Sequence, residues 1–485
     1  MERSGRYGSI GSTGTAERVP FFEELSAIPH GSGNTGAISD WCVAFARERG
    51  LEVHQDELHN VIIIKEATPG HEAAEPLILQ GHLDMVCEKT ADCAKDMSRE
   101  GLDLVVDGDT VYAKGTTLGG DDGIAVAIAL ALLDDDSLVH PRLEAVFTTE
   151  EEVGMDGVRG LDVSPLKGRT LLNLDSEAEG VFTVSCAGGS RAACVLPVTR
   201  ASYDGACLRV AVSGLTGGHS GSEINKGRAN ADMLLGRLLE AAAAAGELRL
   251  VHAQGGLKDN AIPVAAEAVI AVADAGAARA AMEQLGEALK REYHVTEPGL
   301  TVVITDAAEE EVPMDQASTD RALCLLSCAP NGIQAMSMDL PGLVQTSLNL
   351  GILQTETASM TATFCVRSSV SSQKEMLHSR LKRLAEQLGG ELRVTGDYPA
   401  WEYRADSPLR EKMVELFREQ YGKEPQVEAI HAGLECGILA GKLPGLDCVS
   451  IGPDLTEIHT PRERMHIASV QRVWRFVTEL VRRSA

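Results

Sequence analysis

Short apolar runs that end in a histidine or in acidic residues recur in the first part of the chain. The run Pro76–Leu79 predicts a buried strand, and it leads directly into Gln80-Gly81-His82-Leu83-Asp84. Side chains two positions apart on a strand point to the same face, so His82 and Asp84 can enter one cleft. Asp84 can also lie behind His82 and bind its second ring nitrogen. A single His-x-Asp of this kind is more often a polar strand end that meets solvent.

Two further predicted strands and one loop end in carboxylates. One strand ends in the consecutive glutamates Glu150–Glu152, and another ends at Asp175. A glycine-flanked loop carries Asp121 and Asp122 just before a helix rich in alanine and leucine. Taken alone, acids in such places are often helix caps or solvated turns. In α/β sheets, however, ligands bind at the carboxyl ends of the strands, so these endings together predict ligands that converge at one sheet edge.

Alternating strand and helix patterns extend over the chain and predict an α/β fold in two domains. Gly188-Gly189 indicates a boundary after residue 187, and the pattern becomes α+β from there to about Tyr398. The chain then returns to alternating helices and strands, so we expect residues 1–187 and 399–485 to be α/β. Residues 188–398 should form an inserted α+β domain. The sequence shows no internal repeat with a clear period.

Composition and charge exclude several classes of partner. The chain has 485 residues, 44 basic and 71 acidic, which gives a net charge of −27. Such a balance argues against nucleic acid or an anionic membrane surface as a partner, and it leaves many carboxylates available as metal ligands. No apolar run reaches the roughly 20 residues that a membrane span needs. Residues 1–14 are polar and lack the apolar core of a signal peptide, so we expect a cytoplasmic protein.

The metal chemistry that the residues favour is that of imidazole and carboxylate ligands. The 11 cysteines are scattered and form no paired CxxC spacing, which predicts free thiols in a reducing compartment. Zinc, cobalt or manganese therefore fit better than an iron–sulfur centre. Two such ions with a shared carboxylate need about five ligands and a separate carboxylate as general base.

Six motifs in a fixed order carry a family resemblance over nearly the whole chain, from about residue 28 to the end. Together they resemble the aminoacyl-histidine dipeptidases, carnosinase-type enzymes of the co-catalytic zinc aminopeptidase superfamily. The motifs are Gln80-Gly81-His82-Leu83-Asp84-Met85-Val86, Gly115-Thr116-Thr117-Leu118-Gly119, Glu151-Glu152-Val153-Gly154-Met155-Asp156-Gly157, Asp175-Ser176-Glu177, Gly217-Gly218-His219-Ser220-Gly221 and His431-Ala432-Gly433-Leu434-Glu435-Cys436-Gly437.

The resemblance implies a site for two zinc ions. His82, Asp121 and Asp175 would hold one ion, and Asp121, Glu152 and His459 would hold the other, so that Asp121 bridges the pair. The family loop usually reads Gly-Ala-Asp-Asn-Gly, whereas here it is Gly-Gly-Asp-Asp-Gly, with Asp122 in the place of asparagine. That extra negative charge is expected to raise metal affinity or the pKa of a neighbouring group.

The implied activity is hydrolysis of the peptide bond of dipeptides, Xaa-His (including β-alanyl-histidine) and other unblocked dipeptides. Glu151 would be the general base that activates a metal-bound hydroxide and passes the proton to the leaving amine, and Asp84 would orient His82. A deacylase or a carboxypeptidase acting on other amides uses the same chemistry and stays an alternative. A non-catalytic binding protein on this fold is a third reading, and it would be expected to lack the base or a ligand.

The resemblance also implies that residues 1–187 and 399–485 form a catalytic domain with a mixed central sheet between helices. The inserted segment would be a ferredoxin-like lid or dimerisation domain. His219 would stabilise the oxyanion, while Asn260 and Arg367 would bind the ends of the peptide, Arg367 by a bidentate contact with the carboxylate. His431 is expected either to support the site or to contact substrate. Closure of the lid would bring its residues over the metals and exclude water. A segment of this length is compatible with a homodimer and with a lid that is complete within one chain.

Overall fold

The computed structural model describes residues 21–308 and 311–485, and these fall into two compact units. Unit 1 comprises the chain up to Ser185 together with Tyr403–Ala429 and Ile438–Ala485, and unit 2 comprises Cys186–Glu402 and Ile430–Gly437. Residues 430–437, which the sequence pattern groups with the catalytic domain, belong to unit 2. The polar stretch at residues 1–14 lies outside the described residues.

The helices and strands are numbered in chain order. The helices are α1 Phe21–Ser26, α2 Gly36–Glu48, α3 Gly120–Asp134, α4 Asp156–Gly160, α5 Ala231–Ala245, α6 Ala275–Glu292, α7 Gln316–Cys328, α8 Ser371–Gln387, α9 Pro408–Tyr421, α10 Glu435–Lys442 and α11 Ile467–Arg483. The strands are β1 Glu52–Gln55, β2 Val61–Lys65, β3 Leu77–His82, β4 Leu104–Asp107, β5 Thr110–Ala113, β6 Leu143–Thr148, β7 Thr170–Asn173, β8 Val181–Cys186, β9 Gly188–Pro197, β10 Ala206–Ser213, β11 Gly218–His219, β12 Leu248–Gly255, β13 Ala261–Ile262, β14 Ala266–Val272, β15 Thr301–Asp306, β16 Gly332–Met336, β17 Val344–Thr355, β18 Ser359–Ser368, β19 Glu391–Tyr398, β20 Gln426–Ile430, β21 Asp447–Ser450, β22 Leu455–Thr456 and β23 Arg464–His466.

An eight-stranded mixed sheet in the order β1-β2-β6-β3-β7-β21-β8-β20 is the centre of unit 1. Its middle strands β6, β3, β7 and β21 are parallel, and the flanking pairs β1/β2, β2/β6 and β21/β8 are antiparallel. Every residue of β3 and β6 is buried, which is why these strands are mostly apolar and lack a regular alternation of apolar and polar residues. The predicted α/β class with a mixed sheet flanked by helices is confirmed.

The helices of unit 1 include one that is apolar on all sides and one that is amphipathic. Helix α3 is apolar on all sides, and residues 124–133 are all buried, so it lies fully inside the unit. Helix α11 is amphipathic and buries one stripe that includes Val473, Phe476 and Leu480. The ring of Phe476 lies 5.8 Å from that of Phe182 in β8, between centroids. Each fully buried side chain of this size stabilises the fold by about 1.5–3 kcal/mol.

Unit 2 contains two copies of one topology. Strands β10, β12, β14 and β15 with helices α5 and α6 follow a βαββαβ order, and they are ordered β15-β10-β14-β12 in the sheet. Strands β9, β17, β18 and β19 with helices α7 and α8 repeat that order as β19-β9-β18-β17. The first copy is inserted in the second, between β9 and α7, and the two sheets join where Gly255 pairs with Leu353. This repeat is invisible as a sequence period because only the topology is shared.

Candidate functional site

The chemistry of unit 1 is concentrated at the carboxyl ends of three neighbouring strands. His82 is the last residue of β3, Glu150–Glu152 follow β6 after one residue, and Asp175 lies two residues beyond β7. Because β6, β3 and β7 are adjacent and parallel, these ends meet at one edge of the sheet. The start of α3 and the loop between β22 and β23 bring Asp121 and His459 to the same place.

Glycine permits the close approach of β3 to the start of α3. A Cβ on Gly81 would lie 2.6 Å from the Cβ of Ala125 and 2.6 Å from Oδ2 of Asp122, so a side chain at position 81 does not fit. At the other end of the loop, Gly119 adopts a left-handed conformation with φ of 66°. The glycines that flank the acidic pair in the sequence therefore serve to bring backbone and carboxylates against the strand end.

Asp121 lies between two histidines that are 377 residues apart in the sequence. Its Oδ1 is 3.2 Å from Nε2 of His82, and its Oδ2 is 3.0 Å from Nε2 of His459. Nε2 of His459 also lies 3.1 Å from Oε2 of Glu152, and Nε2 of His82 lies 3.8 Å from Oδ1 of Asp175. The structure thus brings together all five residues that the resemblance names as metal ligands.

The donor set fits divalent cations. Ligand atoms of His82, Asp122 and Asp175 lie within 4.8 Å of one another, and so do those of His82, Asp121 and Glu152. Oε1 of Glu152 is buried and accepts no hydrogen bond within the described chain, which is the condition expected of an oxygen reserved for a cation. Imidazole nitrogen and carboxylate oxygen together suit zinc, cobalt or manganese.

The same crowding of charge shifts the titration of these groups. Burial and the charge of Asp122 raise the pKa of Asp175 well above its usual value, as was expected of the extra carboxylate. Burial raises the pKa of Glu151 to about 7, with the charges of Glu152 and Asp121 adding to the effect and that of His82 opposing it. Hydrogen bonds with Asp121 and Glu152 raise the pKa of His459 to about 10. A site with this surplus of negative charge favours bound cations.

Asp84 makes more contacts than the His-x-Asp spacing indicates. Nδ1 of His82 is 2.9 Å from the backbone carbonyl oxygen of Asp84 and 3.6 Å from its carboxylate Oδ1. The carboxylate accepts the hydroxyl of Ser32 at 2.8 Å and the backbone N–H groups of Glu151 and Glu152 at 3.1 and 3.3 Å. Asp84 therefore links the ring of His82 to the turn that presents the two glutamates.

Sequence reasoning missed Glu463, a buried carboxylate that shapes the loop around Asp121. Its Oε2 accepts the N–H groups of Leu118 and Gly119 at 2.7 and 3.2 Å, and its Oε1 accepts those of Gly120 and Asp121 at 2.9 and 3.4 Å. No local signal marks this role, because the loop lies more than 340 residues earlier in the sequence. Only its position shortly after His459 hinted at the site.

Two histidines outside the predicted site are buried in unit 1. His30 and His140 are only 5% and 4% exposed, and the ring of His140 bonds to the backbone carbonyl of Pro141 at 2.7 Å. All 11 cysteines are free, as expected.

Unit 2 brings together three of its four predicted substrate-binding residues. Nε2 of His219 lies 3.4 Å from Nη2 of Arg367, and a Cβ on Gly221 would lie 3.1 Å from Nε of Arg367 and 2.5 Å from the carbonyl oxygen of His431. Asn260 is exposed, and its backbone carbonyl accepts the N–H of Ser220 at 2.9 Å.

Local hydrogen bonds assign the proton of the His219 ring. Nδ1 accepts the backbone N–H groups of Gly221 and Ser222 at 3.3 and 3.1 Å, so Nε2 carries the proton of the neutral ring. Burial and the neighbouring Arg367 lower the pKa of His219, which keeps the ring neutral. The Nε2–H group and the guanidinium are thus two donors side by side, an arrangement that suits a shared anionic acceptor.

Comparison with known proteins decides the family. Residues 78–483 match the sequence pattern of peptidase family M20/M25/M40, and this span includes all the predicted metal ligands. The chain belongs to peptidase family M20/M25/M40. The sequence-based predictions of the family and of a peptidase enzyme are therefore confirmed.

Relatives of this M20 peptidase match it over nearly its full length. It is 37% identical over 465 residues to a cytosol non-specific dipeptidase of Escherichia coli, an alignment that covers 95% of this chain and 96% of the relative. It is 35% identical to the aminoacylhistidine dipeptidase of Vibrio alginolyticus, whose crystal structure superposes with a TM-score of 0.92 over 98% of both chains. The aminopeptidase PepT of Bacillus cereus, 14% identical with a TM-score of 0.53 over 96% of both chains, shares the fold.

Proposed function

We propose that this M20 peptidase is a two-metal dipeptidase that hydrolyses unblocked dipeptides, Xaa-His and β-alanyl-histidine among them. The observation that carries the proposal is the meeting of His82, Asp121 and His459 through the two oxygens of one carboxylate. A dipeptidase activity is also supported by the relatives, which are named as a cytosol non-specific dipeptidase and an aminoacylhistidine dipeptidase.

The assignment of ligands follows the contacts. His82, Asp121 and Asp175 would hold one divalent ion, and Asp121, Glu152 and His459 would hold the second, with Zn²⁺ as the expected metal and Co²⁺ or Mn²⁺ as substitutes. Asp122, whose Oδ2 accepts the backbone N–H of His82 at 3.2 Å, would add negative charge beside the first ion. When bound, the pair of ions polarises the scissile carbonyl and lowers the pKa of the attacking water.

Glu151 is the residue that we assign as the general base. Glu151 lies next to Glu152 in a turn whose backbone N–H groups donate to the carboxylate of Asp84. These hydrogen bonds fix the position of Glu151 relative to the predicted ligands. Burial raises the pKa of Glu151 to about 7, a value at which a carboxylate both accepts and returns a proton near neutral pH. Glu151 would take a proton from the attacking water and deliver it to the leaving amine.

Unit 2 would supply the groups that bind the peptide. The Nε2–H of His219 is a neutral donor suited to the oxygen of the scissile carbonyl, on which negative charge develops. Arg367 would bind the free carboxylate of the dipeptide, and Asn260 would contact its other end. A requirement for a free amino end and a free carboxylate would restrict the enzyme to dipeptides. The name of the Escherichia coli relative, a cytosol non-specific dipeptidase, supports action in the cytosol.

A metal-replete substrate panel tests the proposal. The purified protein is assayed with β-alanyl-histidine, with other Xaa-His and non-histidine dipeptides, with N-acyl amino acids and with longer peptides, and the products are identified. The assay is repeated after complete removal of metal and again after Zn²⁺, Co²⁺ or Mn²⁺ has been restored.

The expected result is release of free amino acids from dipeptides, loss of that activity with the metal, and its recovery on restoring a divalent ion. Full activity in metal-free protein would overturn the mechanism. Hydrolysis confined to N-acyl amino acids or to the ends of longer peptides would replace the dipeptidase by a deacylase or a carboxypeptidase. Bound metal without turnover of any amide would indicate a binding protein.

A further inference from the structure

Unit 2 contains a group of buried polar atoms that have no hydrogen-bond partner within the described chain. Nε of Arg367, Nδ1 of His431 and Oγ of Ser220 are all buried, and none has a hydrogen bond within the described chain. Their residues are 8%, 7% and 2% exposed. Leaving such groups unpaired costs about 1–3 kcal/mol each, and more for a charged group. Three of them near one glycine indicate a place built for a polar ligand group.

The backbone of Gly221 packs closely against Arg367, His219 and His431. A Cβ at this position would lie 3.1 Å from Nε of Arg367, 3.0 Å from Cε1 of His219 and 2.5 Å from the carbonyl oxygen of His431. A side chain at position 221 does not fit, so Arg367, His219 and His431 come together around this glycine. The Nε–H of Arg367 is a donor without an acceptor, so a ligand group that pairs with it must accept a hydrogen bond.

The ring of His431 has one nitrogen engaged and the other free. Nε2 lies 2.7 Å from Oγ of Ser347, a residue of β17 that is only 1% exposed. Burial, with the nearby charge of Arg367, lowers the pKa of His431 to about 3, so the ring is neutral throughout the physiological range. A neutral imidazole donates from one nitrogen and accepts at the other, and the bond to Ser347 decides which.

We propose that Ser347 is a positioning residue that donates its hydroxyl hydrogen to Nε2 of His431 and so presents Nδ1–H, with Arg367 Nε–H, to the carboxylate of a bound dipeptide. The opposite arrangement would leave the hydroxyl hydrogen of Ser347 buried and unpaired, and it would turn a lone pair of His431 toward the ligand. This inference rests on the proposed function, since it names how the same enzyme would recognise the free carboxylate of its substrate. It predicts discrimination against dipeptides whose carboxylate is blocked as an amide.

The experiment compares Ser347→Ala with Ser347→Thr in the metal-loaded enzyme. Kinetic constants are measured for an unblocked dipeptide and for its C-terminal amide. The proton of the His431 ring is located by two-bond ¹H–¹⁵N correlation, and the His431→Asn variant assigns the signal. The matched control is Thr346→Val. Thr346 is the next residue of β17, is fully buried, and its hydroxyl lies 2.9 Å from Oγ of Ser368.

In the wild type we expect the proton on Nδ1 of His431. Ser347→Ala should raise KM for the unblocked dipeptide roughly tenfold, the change expected from losing about one hydrogen bond, with kcat within threefold and metal content unchanged. KM for the amide should stay the same, and Ser347→Thr should restore the wild-type value. Thr346→Val should lower thermal stability without changing KM.

Two results would overturn the inference: a proton on Nε2 of His431 in the wild type, or an equal rise of KM for the dipeptide and its amide in Ser347→Ala. The location of the ring proton is independent of catalysis. A wild-type protein that hydrolyses no dipeptide would therefore refute the proposed function while leaving the tautomer question answered by the spectrum alone.

Discussion

Glu151 differs from its neighbours Glu150 and Glu152 only by its place in the turn. That place predicts different effects for substitutions at neighbouring positions. Its charge is buried beside Glu152 and Asp121, whereas Glu150 directs its Oε1 to the backbone N–H of Gly33 at 2.8 Å. Glu151→Gln should lower kcat by about 10²–10⁴, the usual contribution of a general base, while the bound metal is retained. Steady-state kinetics with metal analysis on the same sample measures both quantities.

The control for that substitution is Glu150→Gln. It removes the same charge one residue earlier but touches neither histidine, and we expect its kcat to stay within a few-fold of the wild type. Equal losses in the two variants, or release of metal by Glu151→Gln, would show that residue 151 acts through the site's structure and not as a base.

Asp232 predicts a pH dependence of stability that is unrelated to catalysis. Both of its carboxylate oxygens are buried without a hydrogen-bond partner in the described chain, and burial raises its pKa to about 8. Its usual pKa is about 3.9, so the folded state holds the proton that the unfolded state releases between about pH 4 and pH 8. Because only the unfolded state ionises in this window, the free energy of unfolding falls as the pH rises. The loss is on the order of 1–3 kcal/mol between pH 5 and pH 7.5.

Asp232→Asn removes that ionisable group at nearly constant shape. We expect it to raise the thermal midpoint more at pH 7.5 than at pH 5, measured by calorimetry. Asp274→Asn provides the comparison, since Asp274 is an exposed cap of α6 whose side chain accepts the N–H of Ala277 at 2.9 Å. It should shift the midpoint by a similar amount at both pH values. A pH-independent effect of Asp232→Asn would mean that its carboxyl is not buried as a neutral group.

How far individual residues could be predicted depended on whether their partners are local. Four of the five predicted ligands stood out because each follows an apolar strand or lies in a glycine-rich loop, so the signal is local. His459 was assigned only through the family resemblance. Asp84 was assigned to His82 from spacing, yet its contacts with Ser32 and with the turn at Glu151 arise only in three dimensions. Glu463 carried no comparable signal, because the four N–H groups that it accepts belong to a distant loop.

At the scale of elements, the loop before α3 depends on that carboxylate. Glu463 accepts the N–H groups of residues 118–121, which include the first turn of α3 and Asp121 itself. In Glu463→Gln, an amide NH₂ would face two of these N–H donors, so the loop must move and carry Asp121 with it. Substitution of a group that supports a metal ligand typically lowers metal affinity 10–100-fold, and we expect a loss in that range.

Competition with a chelator of known affinity measures this effect on zinc binding. The control is Glu479→Gln in α11, whose carboxylate pairs with Arg482 and Arg483 in the same unit. We expect its metal affinity to stay within about threefold of the wild type. Unchanged affinity in Glu463→Gln would show that the loop holds its shape without the four hydrogen bonds.

Elements were easier to predict than their assembly. The apolar runs of unit 1 gave β3 and β6 directly, since strands buried on both faces need no alternation. The two βαββαβ copies of unit 2 could not be detected, because a shared topology does not require a shared residue pattern. The strand pairing that joins them is limited to Gly255 and Leu353, and no short motif encodes such a contact.

At the scale of the whole molecule, the proposed metal ligands all belong to unit 1 and come from five separate segments of it. Burial, with added repulsion from neighbouring carboxylates such as Asp121, raises the pKa values of Glu151 and Asp175. Bound ions would remove that repulsion and tie the strand ends to the loop of His459. A ligand at about 1,000 times its Kd stabilises the state that binds it by about 4 kcal/mol. The gain should be concentrated in the segments that make the site.

Hydrogen exchange measured by mass spectrometry tests where that gain appears. Loading with zinc should slow exchange at residues 82–84, 119–123, 150–152, 175–177 and 457–463, while residues 206–306 of the inserted copy in unit 2 exchange at the same rate. His459→Ala should abolish the protection at 457–463 and retain part of it at 82–84, because His82 keeps Asp175 as a neighbour. Equal protection of residues 206–306 would contradict the assignment of every ligand to unit 1. It would require a metal contact from the inserted copy, whose His219 and His252 would then be the first residues to substitute.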